Sequence, residues 1–583
     1  MGTIWVKQLT GGLDTRRLVE TSPADVMIVA KDGHITRGGE FEQRAAFVPA
    51  FTLPEGTVGL AYTKSNLVVF GHDTEPSGIP TGVVYQQLEH PTGEALADVL
   101  SFDLYSGKVY AVAEFVDGSR YHFYDGALVD DWYDGRARAS FRVTGGDGSS
   151  QLTNLTVNGV AIISSAVTWT TSNEATAAAI AAEINSHTST PDYTATSAGD
   201  QVNIIAGTVG SGTNGYSVVA TVATGLTLSA TATTMEGGLD TDSGYEPGSF
   251  ARTIGSKVYS TSGTVLHFSG IAAPTKFTTD ATGAGFIDLA NQASSPYDLT
   301  AICTYQKYVA VFSGNVVYIW YVDPDPTLNA KSQILNNTGT EYPRSVTPFG
   351  DADIFYLHQS GLRSLKARDS SNSASTTDIG VPIDSILLEK LQTLPPGGKV
   401  ISFINPADGR FWLIVDDEVF VFTFYANAKV SAWSTYTLST REDGADPVYF
   451  SADDAVVWKQ RVYVRSGDTI YAYGGLDAAP KHDATSAEAW SPYFDATRPT
   501  ADKSWCGVDV ACRGTWSVHM AMQPTQIDVE DKIGTVTETT FNRERIPFTH
   551  ASSHVSARFR SQGVGPCTLS AFVIHFDGAD LES

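Results

Sequence analysis

Residues 297–322, YDLTAICTYQKYVAVFSGNVVYIWYV, contain the pattern that decides the fold. Two apolar runs rich in β-branched and aromatic residues, Tyr308 to Phe312 and Val316 to Trp320, lie on either side of Ser313-Gly314-Asn315. Such runs favour strands, and a short turn of Ser, Gly and Asn favours a hairpin reversal. With Leu299 to Cys303 ahead of it, the stretch predicts a three-stranded meander.

The same order of apolar run, turn and second aromatic-rich run recurs along the chain, which gives about seven candidate meanders. The other six lie at 59–70, 101–124, 257–268, 353–365, 400–424 and 448–473. The downstream ones are spaced by roughly 45 to 55 residues, a period typical of β-propeller blades. The sequence therefore predicts a mostly β chain built around a β-propeller.

Charge and composition limit the function classes. The chain has 38 Lys and Arg against 64 Asp and Glu, so its net charge is −26, and this argues against tight wrapping of nucleic acid. A negatively walled passage would still let DNA pass without sticking. Four cysteines in 583 residues do not form a disulfide framework, so we expect free thiols. The first residues lack the apolar core of a signal peptide, and we expect synthesis in a cytoplasm without secretion.

Shifts in composition divide the chain. A Thr-, Ala-, Ser- and Gly-rich region interrupts the meanders, and Thr171 with Glu174 offers a capping box for a helix from Ala175 to Ile184. The meander rhythm stops near Ala478. We therefore predict an N-terminal arm (1–55), a first part of the propeller (56–136), an inserted small α+β domain (137–241), a second part of the propeller (242–478) and a C-terminal antiparallel β-domain (479–583).

The motifs that carry chemistry are weak. Residues 210–215 spell GxGxxG, but the following residues favour a strand, whereas a dinucleotide site needs a helix there. His550 and His554 have a helical metal spacing within a strand-rich region. Residues 451–458 match a sialidase Asp-box incompletely and once. The acidic clusters at Asp130-Asp131, Asp323-Asp325 and Asp416-Glu418 lie at expected turns. We predict no catalytic, cofactor or metal site, and no enzyme.

A resemblance comes from the N-terminal arm. Gly11-Gly12-Leu13 with Arg16, then Gly38-Gly39 with Arg44, precede a Gly- and aromatic-rich β chain. This order resembles the tail nozzle (tail tubular protein B) family of short-tailed bacteriophages. Ala45-Ala46 follows Arg44 where that family often has Pro-Gly after an arginine. The resemblance covers the arm, the propeller and the C-terminal part.

The resemblance implies a structural virion protein of a podovirus tail, assembled in the bacterial cytoplasm as a ring, most often a homohexamer. Its partners would be the tail adaptor or head-to-tail connector, tail fibres, the double-stranded genomic DNA that passes through, and the host envelope. The ring would enclose the DNA channel and gate genome ejection. We expect inter-ring contacts at Arg16, Arg17 and Arg44, channel or gate residues at Asp323 and Asp325, and gating loops at 323–341 and 368–398.

A propeller that binds or cleaves surface glycan, of the tailspike or sialidase kind, is the alternative. An unrelated bacterial propeller scaffold is the third hypothesis.

Overall fold

The computed structural model describes residues 2–129, 132, 136–238, 248–278, 281–290, 292, 297–350, 353–367, 374–541 and 543–577. The chain divides into two compact units. Unit 1 comprises Met1–Val99, Cys303–Ile319 and Gln333–Ser583, and unit 2 comprises Leu100–Ile302 and Trp320–Ser332. None of the helices in the described ranges has the length and apolar content that a membrane crossing requires.

Six small sheets and the first four strands of a larger sheet, named blades 1 to 7, contain the seven predicted meanders in the described part of the chain. Each has four strands except blade 1, which has three. Blade 1 departs from the meander pattern, because its third strand pairs parallel with its second. Their strands are Val58–Tyr62, Leu67–Gly71 and Val83–Gln87 (blade 1); Leu96–Tyr105, Lys108–Phe115, Arg120–Tyr124 and Ala127–Leu128 (blade 2); Phe250–Ile254, Lys257–Ser262, Val265–Phe268 and Gly285–Asp288 (blade 3); Leu299–Tyr305, Tyr308–Ser313, Val316–Tyr321 and Ala330–Asn336 (blade 4); Thr347–Phe349, Asp353–His358, Gly361–Ala367 and Ala374–Asp378 (blade 5); Val400–Asn405, Arg410–Val415, Glu418–Tyr425 and Val430–Thr437 (blade 6); Asp454–Trp458, Arg461–Ser466, Thr469–Tyr473 and Phe47–Thr52 (blade 7). The prediction of a mostly β, propeller-like fold is confirmed.

Blade 7 takes its fourth strand from the N-terminal segment. Phe47–Thr52 pairs antiparallel with Thr469–Tyr473, so that Phe47 lies opposite Tyr473. Blades 6 and 7 also share a buried aromatic contact, because the fully buried Trp412 meets the ring of Phe47 edge-on, 6.4 Å between centroids. The two ends of the chain segment that carries blades 1 to 7 are thus joined within one sheet.

The inserted α+β domain has its own core. Its first sheet contains Tyr193–Ala198, Gln201–Val209, Arg136–Gly145 and Thr227–Leu228; its second contains Val160–Ala161, Gln151–Val157, Ser217–Ala223 and Ala232–Thr234, with Val167–Thr168 beside Gln151–Val157. Helix α1, Asn173–Ser186, buries Ala177, Ile180 and Ile184 against these sheets. Its N-cap is Ser172, whose hydroxyl accepts from the Ala175 amide at 3.1 Å. The predicted Thr171 cap is therefore wrong by one residue.

The N-terminal arm predicted at 1–55 is wrong as a separate element. Four of its strands in the described ranges enter a 14-stranded sheet. This sheet begins with blade 6 and continues through Val29–Lys31, Glu488–Trp490, Ser556–Gln562, Lys503–Ala521, Thr568–Asp577, Phe41–Gln43 and Gly33–Ile35, with Gly2–Val6, Asp531–Glu538 and His550–Ser552 paired beside this path. The cause is burial: Val6, Ile35 and Phe41 are each at most 2% exposed in the core of unit 1. The C-terminal strands pair antiparallel with one another in this sheet, which also contains blade 6. A separate C-terminal domain stays a prediction.

The remaining elements are short. They are the strand pairs Gly12–Leu13 with Val26–Met27 and Ser439–Thr440 with Val448–Tyr449, helix α2 at Asp384–Gln392, and the 3-10 helices Ser211–Thr213, Pro326–Leu328, Pro343–Ser345 and Ala426–Ala428. The two predicted gating loops are not irregular throughout. Residues 323–341 include a strand of blade 4, and residues 374–398 include a strand of blade 5 and helix α2; residues 368–373 lie outside the described ranges.

Candidate functional site: a polar cleft in unit 1

A cleft of about 590 Å³ opens beside blades 6 and 7. It is lined by residues 33–45, the first hairpin turn of blade 6, the first hairpin turn of blade 7, residues 473–482 and Pro566. The volume falls within the roughly 300–1,000 Å³ of small-molecule sites. We call it the polar cleft.

Both turns are held in place by local chemistry. In blade 6, Asp408 Oδ1 accepts from the backbone amide of Arg410 at 3.1 Å, an Asx turn. In blade 7, Lys459 and Gln460 both adopt a positive φ, 48° and 62°, which allows the tight reversal between Trp458 and Arg461. The turn residues are therefore presented to the cleft by rigid hairpins.

His34 and Glu42 form the inner wall. They lie opposite each other on neighbouring antiparallel strands, with His34 Nε2 3.5 Å from Glu42 Oε1, while His34 Nδ1 is 2.7 Å from the Tyr436 hydroxyl. Burial, followed by the charge of Arg410, lowers the pKa of His34, so the imidazole is neutral at pH 7. The hydrogen bond from His34 lowers the pKa of Glu42. The ionised Glu42 carboxylate only accepts, so His34 Nε2 carries the proton and Nδ1 accepts from the Tyr436 hydroxyl, which burial keeps protonated by raising its pKa well above the usual value.

Two buried side chains of the wall keep a polar atom unsatisfied. Arg410 pairs with Asp408 and donates to the Ile35 carbonyl at 3.4 Å, but its buried Nε has no hydrogen-bond partner within the described residues. Gln43 donates from Nε2 to the Thr485 carbonyl at 2.7 Å, whereas its buried Oε1 has no acceptor bond there. Buried polar atoms are normally paired, so these two atoms are exceptions, and both are closed off from solvent.

Arg44 does not make the inter-ring contact predicted from the sequence. It is 0% exposed: Nε donates to Asp32 Oδ1 at 2.8 Å, one terminal nitrogen donates to the Ala45 carbonyl at 2.9 Å, and the other donates to the Ser439 carbonyl at 3.0 Å. The prediction assumed an exposed side chain. The guanidinium is instead buried, because the Asp32 carboxylate and two backbone carbonyls accept its hydrogen bonds. Its role is to hold the segment that supplies Glu42, Gln43 and Ala45 to the polar cleft.

Arg16 and Arg17 lie on the surface of unit 1. Their side chains are 57% and 56% exposed, with Arg16 3.9 Å from Asp384 of α2 and Arg17 3.2 Å from Asp14. Leu18 beside them is 72% exposed. The predicted contact role of these arginines stays a prediction.

Asp323 and Asp325 form a tied turn in unit 2. Asp325 Oδ1 accepts from the Thr327 amide at 3.0 Å and caps the 3-10 helix, and Asp323 Oδ1 accepts from the Asp325 amide at 3.0 Å. Lys257 donates to the Pro324 carbonyl between them at 2.8 Å, and burial lowers the pKa of this lysine. Their predicted place at a channel or gate stays a prediction.

The other motifs have structural roles. The GxGxxG stretch forms a 3-10 turn followed by the strand Ser217–Ala223, and His550 begins a strand, so neither the nucleotide nor the helical metal geometry exists. Within the incomplete Asp-box, Asp453 accepts from the Gly467 amide at 2.7 Å. No group of three His, Cys, Asp or Glu side chains among the described residues is arranged to hold a metal ion. Asp130 and Asp131 lie outside the described residues.

Sequence reasoning missed His34, Glu42 and Arg410 as parts of one site. The Asp408-Gly409 turn was recognised as a turn, but nothing in the sequence brings it next to residues 34–42 and 473–482. Hydrophobic periodicity predicts where strands lie in the sequence, but it does not predict which distant strands pair in the fold.

Comparison with known proteins gives little. No family model matches the chain, and no curated protein does either. Among solved structures, similarity is found to the N-terminal domain of Nup159 (11% identity, 48% of this chain and 80% of that one, TM-score 0.22) and to an exo-β-1,3-galactanase from Phanerochaete chrysosporium crystallised with galactose (8% identity, 83% and 97%, TM-score 0.22). The AfRom2 CNH domain gives 9% identity over 46% and 86%, with a TM-score of 0.23. At these scores the similarities carry no argument about function.

Proposed function

We propose that the chain is a structural subunit of the tail nozzle of a short-tailed bacteriophage, assembled as a ring around the distal DNA channel. The exposed loop Arg16-Arg17-Leu18 is the observation that supports this most directly. It presents two cations and a large apolar side chain at the surface of a chain whose net charge is −26. The sequence resemblance supplies the family and the hexameric state.

A ring of identical subunits closes through interfaces that join two different surfaces of the same chain. On so acidic a chain, the surface of a neighbouring copy is predominantly negative, and the cationic loop complements it. The remaining acidic surface would repel DNA from the channel walls and keep the genome from sticking during ejection. Adaptor, tail fibres and host envelope are the further partners in this proposal.

The test is the mass of the purified chain by mass photometry, with end-on class averages in the electron microscope. We expect a closed ring for the wild type and a monomer for the double variant Arg16→Glu, Arg17→Glu. Arg142→Glu is the matched control, because Arg142 is 55% exposed and also pairs with an acidic side chain, Asp200 at 2.7 Å. It should leave the ring intact.

A wild type that stays monomeric, alone and with its tail neighbours, would contradict the proposal. So would a ring that survives the double variant and is lost in the control, because the charged loop would then not be the contact. The alternative function, a propeller that binds or cleaves surface glycan, stays a prediction.

A further inference from the structure

We propose that the loop Arg16-Arg17-Leu18 of one copy docks on the hairpin that Ser439–Thr440 and Val448–Tyr449 form in a second copy. We call this hairpin, residues 439–449, the acidic hairpin. The inference rests on the proposed function, because it names the surface that the cationic loop meets in the ring. Three observations carry it: an exposed apolar pair on the hairpin, its unpaired carboxylates, and the fixed conformation of both surfaces.

Two adjacent apolar side chains of the acidic hairpin are open to solvent. Val448 is 63% exposed and Tyr449 is 62% exposed. Among the described strands, the strand that carries them pairs with Ser439–Thr440 alone, in a two-stranded sheet. A single exposed apolar residue is ordinary, whereas neighbouring ones on the free edge of a strand mark a contact surface.

The turn of the acidic hairpin carries an excess of negative charge. Residues 439–449 contain three carboxylates and one arginine, a net charge of −2. Glu442 and Asp446 are exposed, and within the described part of the chain neither carboxylate has a hydrogen-bond or ion-pair partner. The arginine, Arg441, donates from Nε to the Ala445 carbonyl at 2.9 Å and so helps to fold the turn. The carboxylates are therefore available to cations of a partner.

Hydrogen bonds to the backbone hold each surface in one conformation. The Leu18 carbonyl accepts from the Thr21 amide at 3.0 Å and from the hydroxyls of Thr21 and Ser22 at 3.2 and 3.1 Å, which presents a side chain that is 72% exposed. In the hairpin, the Arg441 carbonyl accepts from the Ala484 amide at 3.0 Å. Preformed surfaces lose little conformational entropy when they bind.

The two surfaces complement each other in chemistry. Leu18 offers an apolar side chain to Val448 and Tyr449, and Arg16 and Arg17 offer two positive charges to the carboxylates. The ion pairs that these arginines make within their own copy lie at the surface, where such pairs are weak and can be exchanged.

The contact requires a second copy. Within one chain both surfaces are exposed, so they do not cover each other. A contact between two different surfaces of identical chains is heterologous, and this is the geometry that closes a ring.

The test is a charge exchange in the full chain, scored by mass photometry. Glu442→Arg with Asp446→Arg should lower the ring fraction about tenfold, as should Arg16→Glu with Arg17→Glu, because each pair of changes places like charges together. Combining all four changes should restore the ring, because opposite charges face each other again.

Glu89→Arg with Glu94→Arg is the matched control. It makes the same change in net charge at two exposed carboxylates outside the hairpin. It should leave the ring intact, and it should not rescue Arg16→Glu with Arg17→Glu. Thermal unfolding at the wild-type temperature shows that each variant keeps its fold.

A short bismaleimide tests the contact directly, because it joins thiols that lie close together. Leu18→Cys combined with Tyr449→Cys should give covalent oligomers on a denaturing gel. Either change alone should give none, because the contact joins two different residues. Val116→Cys, at a position in blade 2 that is 68% exposed, replaces Tyr449→Cys in the control and should not crosslink with Leu18→Cys.

The inference and the proposed function fail in different ways. A wild type that forms no ring overturns both. A wild-type ring that survives Glu442→Arg with Asp446→Arg overturns the inference alone. So does a folded fourfold variant that stays monomeric, or a crosslink that appears with Val116→Cys and not with Tyr449→Cys.

Discussion

The inserted domain and the large sheet of unit 1 are built in opposite ways. In the inserted domain every strand listed above pairs with another strand between residues 136 and 236, and its core comes from the same stretch. In unit 1, Gly2–Val6 pairs with residues 572–576, Val29–Lys31 with residues 488–490, and Phe47–Thr52 with residues 469–473. Closing such long loops costs more entropy and makes the stability of unit 1 depend on contacts between the two ends of the chain.

Replacing Arg44 with alanine should have the largest effect. The change removes the guanidinium that pairs with the carboxylate of Asp32, a residue that is 4% exposed. Removing one partner of a buried ion pair costs about 3–5 kcal/mol of unfolding free energy. Hydrogen exchange measured by mass spectrometry should show lost protection in peptides covering 41–52, 435–440 and 469–473. Helix α1 of the inserted domain should keep its protection.

The matched control for that variant is Arg142→Ala in the inserted domain, which removes an exposed ion pair and should cost about 0–1 kcal/mol. Equal losses in the two variants, or deprotection of α1 by Arg44→Ala, would mean that the long-range pairing does not set the stability of unit 1.

Ile180→Ala probes the local side of the comparison. Ile180 is 0% exposed in the core of the inserted domain, and removing its three outer carbons should cost about 2–5 kcal/mol of that domain's unfolding free energy. The loss should be confined to exchange in residues 136–236, with the blade 6 hairpin 410–425 unchanged. Ala178→Gly on the exposed side of α1 is the control, at about 1 kcal/mol. Deprotection of blade 6 by Ile180→Ala would show that the domain is not energetically separate.

The same contrast explains how far sequence reasoning reached. Hairpins could be located because their sequence signal is local. The aromatic runs on either side of Ser106-Gly107 predict a turn at these two residues, and both adopt a positive φ, 49° and 80°. The insertion was recognised from its composition and from the polar start of one helix. The place of Phe47–Thr52 in blade 7, and of residues 2–43 in the sheet of the C-terminal domain, was not predictable, because strand pairing over more than about 400 residues leaves no periodic trace.

The polar cleft was missed for the same reason. His34, Asp408 and Asp477 belong to three distant stretches, each unremarkable by itself. Arg44 was misread because a flanking glycine pair suggested exposure, while its partners Asp32 and Ser439 become visible only in the fold. Arg16 and Arg17 are exposed, and their predicted inter-ring contact stays a prediction.

Acid provides the smallest and most selective test. In unit 2, burial lowers the pKa of His122 in blade 2 to about 4 and that of His267 in blade 3 to about 3, against an ordinary value of 6.5. Between these values the unfolded chain binds protons that the folded chain does not, so the contribution of the two histidines to the unfolding free energy is constant above about pH 6.5 and falls as the pH decreases below it. Each histidine contributes about 1.4 kcal/mol per pH unit.

Lowering the pH from 6.5 to 5.5 should therefore reduce the protection factors, which are corrected for the intrinsic exchange rate, in the hairpins 108–124 and 257–268 by about fivefold per histidine, while those of α1, which packs on an apolar core, stay unchanged. His122→Gln cannot take up a proton and should remove about half of the pH dependence, whatever its effect at pH 7.5. Because His122 Nε2 is 2.8 Å from the Gly248 carbonyl, the Gln amide retains a donor at that place. An unchanged slope in this variant, or equal acid sensitivity of α1, would show that the blades and the insertion of unit 2 unfold together, and the contrast between local and long-range construction would then hold only for unit 1.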